Sequence, residues 1–273
     1  MKTFGLIGWP VKHSFSPEMH HTAYQDLNIN AKYSLYPVKE ENLAEAVKGA
    51  QKLGINGLNV TVPHKEAVKN LEFVEVDPLA EKIGAVNTLH FTDEGIKAYN
   101  TDAIGARRAL EKHDVNIEDK KVTVVGAGGA SKAISFELAD KNAEVHIANR
   151  TEQKAHQLAE NVSKVGKASG HSLDELEKLV QNSDILVNST SVGMEEDKTV
   201  VPKEHLHEDL VVFDAVYNPL ETKLMREAKE VGAETIDGAW MLVYQGVKAF
   251  EIWTGKTPPE DKMRKALMKK VNA

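Results

Sequence analysis

A recurring alternation of short apolar runs and helical patterns constrains the fold of this chain more than any other feature. The alternation is most regular after Lys120, where the apolar runs are "KVTVVGA", "EVHIAN", "DILVNST", "LVVFDAVY" and "AETID". Helical patterns fall between these runs, near residues 130–141, 152–162, 172–182 and 220–231. Strands that alternate with helices form parallel sheets, because each helix crosses a face of the sheet to reach the next strand. We predict an α/β protein whose second half is an open, doubly wound sheet.

The first half shows the same alternation with one irregular segment. Apolar runs in "TFGLIG", "YSLYPV" and "GLNVTV" predict strands. In "AVNTLHFTDEGIKAYNTD" two β runs flank Asp93-Glu94-Gly95, which is a hairpin turn signal. From Gly238 onward the pattern is mostly helical, and "AWMLVYQGVKAFEIWTG" is too apolar for a surface helix. We predict two domains: residues 1–101, completed by C-terminal helices within 238–273, and residues 102–237.

Composition excludes several classes of protein. The formal net charge of −7 argues against a nucleic-acid partner, which requires a basic surface. No segment approaches the roughly 18 apolar residues of a membrane span, so we expect no membrane partner and a cytoplasmic location. The chain has no cysteine, which excludes disulfides, thiolate metal ligands and cysteine nucleophiles. The histidines form no convincing ligand set, so no metal site is predicted. A monomer and a homodimer both remain open.

A glycine-rich loop opens the second half. "VTVVGAGGASKAI" places Gly126, Gly128 and Gly129 between a β-branched run and a helix. Glycine permits a tight turn and lets backbone N–H groups approach a phosphate, while the helix directs its positive end at the same anion. A nucleotide triphosphatase loop would need Gly-Lys-Ser/Thr, whereas Ser131 precedes Lys132 here. The loop therefore predicts a Rossmann-type domain that binds a dinucleotide.

The end of the next strand favours NADP over NAD. An NAD-binding unit would carry Asp or Glu about 20 residues after the loop, where this chain has "NRT" at 149–151. Arg150 offers a planar guanidinium suited to the adenosine 2′-phosphate, and Lys154 lies one helical turn further on. Without the glycine-rich loop, an exposed arginine at a helix start would be the preferred interpretation of Arg150. Three later loops, "NSTSVGM", "DAVYNP" and "DG", follow strand ends and are expected to line the nicotinamide side.

Polar residues of the first half collect near the ends of the predicted elements. Asn59 and Thr61 are two apart in a strand and share one face, and Lys65 follows shortly after Pro63. The other members are Ser14, Ser16, Asn87, Thr88, Asn100, Thr101 and Asp102. These are neutral donors and acceptors with one cation and one anion. Such a set suits a small, hydroxylated, anionic molecule.

Each of these residues also has a structural interpretation. Ser16 precedes Pro17 and could be the N-cap of the first helix, with the proline at its first position. Asp102 could cap the helix that follows it, and Asn87 could serve a turn. Lys65 could be a solvated lysine at a helix start.

Motifs along the whole chain resemble the shikimate dehydrogenase family. In order they are "GWPVKHSFSPEMH" (8–20), "NVTVPHKE" (59–66), "GAVNTL" (84–89), "YNTDAIG" (99–105), "GAGGAS" (126–131), "NRT" (149–151), "NST" (188–190), "DAVYNP" (214–219) and "DGAWMLVYQ" (237–245). The family reduces 3-dehydroshikimate to shikimate with NADPH, a step of chorismate and aromatic amino-acid biosynthesis. The resemblance implies an N-terminal αβ substrate domain, completed by the C-terminal helices, and a Rossmann-type NADP domain.

The resemblance also implies individual roles. Lys65 and Asp102 match the catalytic pair. The implied substrate-binding residues are Ser14, Ser16, Asn59, Thr61, Lys65, Asn87, Asp102, Tyr217 and Gln245. The implied cofactor-binding residues are Gly126, Ala127, Gly128, Gly129, Ala130, Asn149, Arg150, Thr151, Lys154, Ala215 and Gly238, with Asp77 a weaker match. One departure is Ala103, where the family usually has glycine after "NTD".

A lysine in the catalytic position would hydrogen-bond the substrate carbonyl oxygen and supply its proton as hydride reaches the carbon. Two alternatives stay open. One is a quinate/shikimate dehydrogenase that uses NAD, against which Ser16 in "SFS" and the "NRT" stretch argue. The other is a non-catalytic NADP-binding sensor on the same fold, against which the presence of both Lys65 and Asp102 argues.

Overall fold

The structure is a computed structural model that describes residues 1–271. The chain divides into two compact units. Unit 1 comprises Met1–Thr101 and the described part of Val243–Ala273, and unit 2 comprises Asp102–Leu242. The second division falls within one long helix, Gly238–Thr254.

Strands and helices follow one another closely along the chain. The strands are β1 (Lys2–Gly8), β2 (Ala31–Pro37), β3 (Gly57–Val60), β4 (Val74–Val76), β5 (Thr88–Thr92), β6 (Gly95–Tyr99), β7 (Lys121–Val125), β8 (Glu144–Ala148), β9 (Lys167–His171), β10 (Ile185–Asn188), β11 (Val211–Asp214) and β12 (Glu234–Asp237). The helices are α1 (Ser16–Asp26), α2 (Leu43–Lys52), α3 (Pro78–Ile83), α4 (Asp102–Glu111), α5 (Gly129–Asp140), α6 (Glu152–Val162), α7 (Leu176–Gln181), α8 (Lys223–Glu230), α9 (Gly238–Thr254) and α10 (Glu260–Val271). None of the helices within residues 1–271 has both the length and the apolar character needed to cross a bilayer.

Unit 1 contains a mixed sheet with the strand order β2-β1-β3-β5-β6-β4. β1 runs parallel to both β2 and β3, whereas β5 runs antiparallel to β3 and β6. The hairpin predicted around residues 93–95 is confirmed, since Thr92 pairs with Gly95 at the turn between β5 and β6.

The two faces of this sheet bury different side chains, because successive strand residues point to opposite faces. Leu58 and Val60 of β3 join an aliphatic core that includes Val47 of α2. Phe4 of β1 stacks on Trp253 of α9, with ring centroids 4.9 Å apart. Gly57 is required beside this indole, because a Cβ there would overlap the Trp253 ring. The dense apolar pattern of the C-terminal segment is thus explained by burial.

Unit 2 contains a parallel sheet with the order β12-β11-β10-β7-β8-β9. Successive strands run outward from β7 through β8 to β9, and then outward from β10 on the other side. This reversal between β7 and β10 is the doubly wound topology of dinucleotide-binding folds, so the predicted fold class is confirmed. Helices cover both faces of such a sheet, which explains why its central strands are continuous apolar runs.

Three elements are absent from the sequence-based prediction. β4, α3 and β9 all lack a sustained apolar run. β9, with the sequence "KASGH", is held as a strand by its pairing with β8, from Glu144↔Lys167 to Ala148↔His171. The helix predicted over 172–182 is shorter than expected, because Leu173–Glu175 form a 3-10 turn before α7 begins.

Candidate functional site

The carboxyl ends of β1 and β3 place two loops of unit 1 side by side. The two strands are parallel neighbours, so the segments that leave them start at the same edge of the sheet. Two backbone hydrogen bonds join these segments, from Thr61 N to Ile7 O at 2.9 Å and from Trp9 N to Val62 O at 3.0 Å. The chain segment that leads to Ser14 and Ser16 and the turn that carries Lys65 are therefore hydrogen-bonded to each other where they leave the sheet. We call the predicted unit 1 residues, Ser14, Ser16, Asn59, Thr61, Lys65, Asn87 and Gln245, the substrate-side cluster.

The turn that carries Lys65 is fixed by hydrogen bonds on both sides of that residue. His64 N donates to Thr61 O at 2.9 Å, and the buried His64 ring contacts Val38 O through Nε2 at 2.7 Å. On the other side, Val86 N donates to Lys65 O at 2.8 Å. Lys65 itself is half-buried. The backbone thus presents this ammonium group from a rigid turn.

Asn59 lies near the end of β3, 4% exposed, and its amide is engaged within the protein. Its Oδ1 accepts a hydrogen bond from Tyr33 Oη at 2.7 Å. Its Nδ2 donates to Thr88 Oγ1 at 3.0 Å and to Asn87 O at 3.3 Å. Thr88 belongs to the polar set of the first half but was assigned no binding role, and Tyr33 was predicted only as a residue of the strand "YSLYPV".

Asn87 forms a clamp with Thr101, and both side chains are buried. Asn87 Oδ1 accepts from Thr101 N at 2.7 Å, and Asn87 Nδ2 donates to Thr101 Oγ1 at 2.9 Å. The clamp fixes the chain at the last residue of unit 1, directly before Asp102. Gln245 of α9 is 8% exposed and also belongs to unit 1.

Ser14 and Ser16 are hydrogen-bonded to each other, with 3.1 Å between their hydroxyl oxygens. α1 begins at Ser16 itself with Phe15 at the N-cap position, so the prediction that Ser16 caps this helix is wrong. Pro17 stands in the first turn, where its missing N–H has no acceptor to lose. The Ser16 side chain is left for contacts other than a cap.

The glycine-rich loop of unit 2 connects β7 to α5 at the reversal of the strand order. Gly126 has φ +122°, and a Cβ there would lie 2.8 Å from Ser189 Oγ and 2.9 Å from Ser131 Oγ. Ser131 Oγ accepts from Gly128 N at 3.1 Å and is 2.7 Å from Ser189 Oγ. A Cβ at Gly128 would meet nothing within 4 Å. Only glycine allows the two serine hydroxyls to lie this close to residue 126, whereas the space next to Gly128 is open.

A buried network joins the carboxyl ends of β10 and β11. Asp214 Oδ1 accepts hydrogen bonds from Asn188 Nδ2 at 2.9 Å and from Val216 N at 3.0 Å. Its Oδ2 accepts from Thr222 Oγ1 at 2.6 Å. Burial raises the pKa of Asp214 to about 6, and the hydrogen bonds to its carboxylate oppose this shift. The network holds the loops "NST" and "DAVYNP", which the sequence predicted to line the nicotinamide side.

The residues predicted to bind the 2′-phosphate follow the end of β8. Asn149 Nδ2 donates to Thr151 O at 2.9 Å, and Thr151 stands at the N-cap of α6. Arg150 and Lys154 are exposed. Neither forms an ion pair with any residue in 1–271. Both cations are therefore available to an anionic ligand at the positive end of a helix.

The remaining predicted residues occupy different settings. A Cβ at Gly238 would lie 2.5 Å from Ala215 O, so these two predicted cofactor residues are packed together in unit 2. Tyr217 follows β11, as Ala215 does, and burial raises the pKa of its hydroxyl. Asp102 is buried as the first residue of α4. Asp77 lies in unit 1, where its carboxylate accepts from Leu79 N at 2.9 Å and caps α3. Within the described range 1–271, no group of three or more His, Asp or Glu side chains could hold a metal ion.

Three family profiles match successive parts of the chain. They are described as the shikimate dehydrogenase substrate binding domain, over residues 6–89, the shikimate / quinate 5-dehydrogenase domain, over 107–216, and the shikimate 5′-dehydrogenase C-terminal domain, over 238–268. A relative from Natronomonas pharaonis named shikimate dehydrogenase (NADP(+)) is 57% identical over 267 residues, which cover 98% of each chain.

Solved structures agree with these matches. A crystal structure of a shikimate dehydrogenase in complex with NADP⁺ has a TM-score of 0.93 and 44% identity, covering 99% of this chain and 96% of that one. The shikimate 5-dehydrogenase of Thermus thermophilus, in complex with NADP(H) and shikimate, has a TM-score of 0.91 and 35% identity, covering 98% and 99%. Both the profiles and the relatives extend over nearly the whole chain. The chain therefore belongs to the shikimate dehydrogenase family.

Proposed function

We propose that this chain catalyses the reversible, NADPH-dependent reduction of 3-dehydroshikimate to shikimate. The proposal rests mainly on the match, over 98% of the chain, to a relative named shikimate dehydrogenase (NADP(+)). The product is an intermediate of chorismate and aromatic amino-acid biosynthesis. As a biosynthetic enzyme that uses NADPH, it is proposed to act in the cytoplasm.

The glycine-rich loop fits the pyrophosphate of a dinucleotide. The first N–H groups of α5 have no acceptor within the helix, so they are available to phosphate oxygens. The open space at Gly128 would allow these oxygens to approach the backbone closely. The residues proposed to hold the cofactor at the carboxyl edge of the unit 2 sheet are Gly126, Ala127, Gly128, Gly129, Ala130, Ala215 and Gly238.

Arg150 and Lys154 are proposed to bind the adenosine 2′-phosphate. Both are exposed cations that lack an ion pair within residues 1–271. Asn149 and Thr151 flank Arg150, and the hydrogen bond from Asn149 Nδ2 to Thr151 O holds the turn that carries this arginine. The absence of an acidic residue at 149–151 removes the usual acceptor for an unphosphorylated ribose. The Asp77 carboxylate already caps α3, which makes it the least supported cofactor contact.

Lys65 is proposed as the acid–base residue. When bound, NADPH supplies hydride to the ketone carbon. The Lys65 ammonium would hydrogen-bond the ketone oxygen, stabilise the negative charge that develops there, and transfer a proton to it. In the reverse direction, the lysine amine would remove the proton from the hydroxyl group. Asp102 is proposed as its partner in the pair, accepting a hydrogen bond from a neighbouring substrate hydroxyl.

The substrate-side cluster supports a small polyol carboxylate as ligand. Ser14 and Ser16 are proposed to bind the carboxylate through their hydroxyl groups, which already lie 3.1 Å apart. Asn59, Thr61, Asn87, Tyr217 and Gln245 are proposed to surround the ring. Their neutral amides and hydroxyls match a ligand that carries several hydroxyl groups and one charge.

A steady-state assay of shikimate and quinate, each with NADP⁺ and NAD⁺, tests the proposal. We expect the highest kcat/KM for shikimate with NADP⁺. Preference for quinate with NAD⁺ would instead indicate the quinate/shikimate alternative, which the name of one matching profile also covers. Tight NADPH binding without turnover of either acid would indicate a sensor. Equilibrium binding of NADPH, followed by its fluorescence, separates that outcome from an inactive preparation.

A further inference from the structure

Tyr33 is a buried residue of β2 whose hydroxyl group lies close to two members of the substrate-side cluster. The side chain is 2% exposed, and its Oη donates a hydrogen bond of 2.7 Å to Asn59 Oδ1. Burial raises the pKa of the Tyr33 hydroxyl, and the nearby Ser16 hydroxyl opposes this shift. Tyr33 is therefore hydrogen-bonded to Asn59 of β3 and lies near Ser16, the first residue of α1.

The position of the Tyr33 ring is determined by three further interactions. Its backbone N–H donates to His21 Nε2 at 3.0 Å, and in the sheet Tyr33 pairs with Phe4. Its ring stacks on His20, with centroids 4.4 Å apart and an interplanar angle of 4°. Burial lowers the pKa of His20 to about 3, so this neighbour is uncharged near neutral pH. The hydroxyl group is thus held in place by a backbone hydrogen bond, by strand pairing and by a ring contact with an uncharged neighbour.

The hydrogen bonds of Asn59 determine which way its amide faces. Burial raises the pKa of Tyr33, so its hydroxyl remains protonated and can donate. The carbonyl oxygen of Asn87 can only accept, so the Asn59 Nδ2 group faces it and donates to it and to Thr88 Oγ1, while Oδ1 accepts from the Tyr33 hydroxyl. Both N–H bonds of the amide are occupied, and one lone pair on Oδ1 is left.

We propose that Tyr33 is a positioning residue that makes Asn59 a hydrogen-bond acceptor for a hydroxyl group of the substrate. This inference rests on the proposed function and assigns specificity within the same site. A ligand hydroxyl can donate to Asn59 Oδ1, whereas a carbonyl or carboxylate oxygen at that point would meet a second acceptor. A site that leaves buried polar groups unpaired rejects the wrong ligand strongly.

Two tyrosines of one aromatic cluster provide a matched test. Tyr24 is also 2% exposed and stacks on Phe4 and Phe250, but within residues 1–271 its hydroxyl has no hydrogen-bond partner. Tyr33→Phe and Tyr24→Phe each remove one buried hydroxyl from this cluster. We expect Tyr33→Phe to raise the KM for shikimate about tenfold or more, from loss of the bond that orients Asn59. Tyr24→Phe should change that KM less than about twofold, and the KM for NADP⁺ should be unaffected in both variants.

Thermal unfolding and a second variant complete the experiment. Thr88→Val removes the acceptor for Asn59 Nδ2 from the other side of the same amide, so it should also raise the KM for shikimate selectively. It provides the test if Tyr33→Phe does not fold. Equal KM values for shikimate in both tyrosine variants would overturn the inference. It would also be overturned if the KM for shikimate rose in both tyrosine variants in proportion to the loss of Tm. An unchanged KM in Thr88→Val would overturn it as well. If the wild-type chain does not turn over shikimate, the proposed function fails instead.

Discussion

The backbone N–H of Val86 donates a hydrogen bond to the carbonyl oxygen of Lys65, with 2.8 Å between nitrogen and oxygen. This bond ties the turn after β3 to the segment that leads into β5, one residue before Asn87. The segments that carry Lys65 and Asn87, two residues proposed to act on one substrate, are thereby linked to each other. Because catalysis depends on placement to within a fraction of an ångström, this link has consequences for turnover.

Replacement of Lys65 by alanine should lower kcat by at least about 10²-fold, the usual contribution of a general acid–base residue. The KM for shikimate should change much less. Lys69→Ala is a suitable control, since Lys69 lies four residues later and forms an ion pair with Glu81 at 2.6 Å. Steady-state kinetics of both variants give the comparison. A Lys65→Ala enzyme with near-normal turnover would remove Lys65 from the mechanism.

Replacement of Arg150 by alanine should weaken NADPH binding by about 10- to 100-fold, because charge-assisted hydrogen bonds to the 2′-phosphate are lost. Binding of NADH, which lacks that phosphate, should change by less than about threefold. Lys164→Ala removes an exposed cation just beyond α6, where Lys164 Nζ donates to Asn161 Oδ1, and should affect neither cofactor. Equal losses for NADPH and NADH in Arg150→Ala would contradict the assignment.

Asp214 should make stability depend on pH in a direction opposite to that of an ion-paired carboxylate. Burial raises its pKa to about 6 from the usual 3.8, so the folded protein binds more protons than the unfolded chain between these values. Its contribution to the free energy of unfolding is therefore fully present below about pH 4 and is lost as pH rises through about 6. The total is about 3 kcal/mol, as one pKa unit corresponds to about 1.4 kcal/mol.

Urea unfolding between pH 4.5 and 7.5 measures this effect. Wild-type stability should fall by about 2 kcal/mol relative to Asp214→Asn as pH rises through this interval, because an amide does not titrate there. Thr222→Val removes a donor to the carboxylate but keeps the titrating group. It should be less stable at every pH and retain the pH dependence. Parallel curves for wild type and Asp214→Asn would refute the assigned cause.

Two glycines of unit 1 should respond oppositely to alanine. A methyl group at Gly57 would overlap the Trp253 indole, whose Nε1 donates to Leu89 O at 2.9 Å. Gly57→Ala should therefore destabilise the protein by about 1–3 kcal/mol. Gly49 lies inside α2, and a methyl group there would have no other atom within 4 Å, so Gly49→Ala should stabilise the protein by about 0.5–1 kcal/mol. Chemical denaturation measures the free energy of unfolding of both variants. A Gly57→Ala protein as stable as the wild type would show that the Trp253 indole can move.

Local patterns in the sequence were sufficient for the fold class. Strands buried on both faces must be continuous apolar runs, and a turn with φ +122° favours glycine, as at Gly126. Residue types also indicated the candidate site, because Lys65, Asn59 and Arg150 stand where an apolar pattern ends. β9 escaped prediction because its five residues carry no such pattern and are stabilised by pairing with β8.

Only the tertiary structure decided how the polar groups are oriented. Tyr33 and Asn59 are 26 residues apart, and so are Asn188 and Asp214. No spacing rule joins residues at such separations, because the contact depends on which strands become neighbours in the sheet. The sequence by itself thus determined most of the elements, all but β4, α3 and β9, and the chemical groups at their ends. Packing determined which of those groups are buried, which donate and which accept, since burial and hydrogen bonding are properties of the folded surroundings.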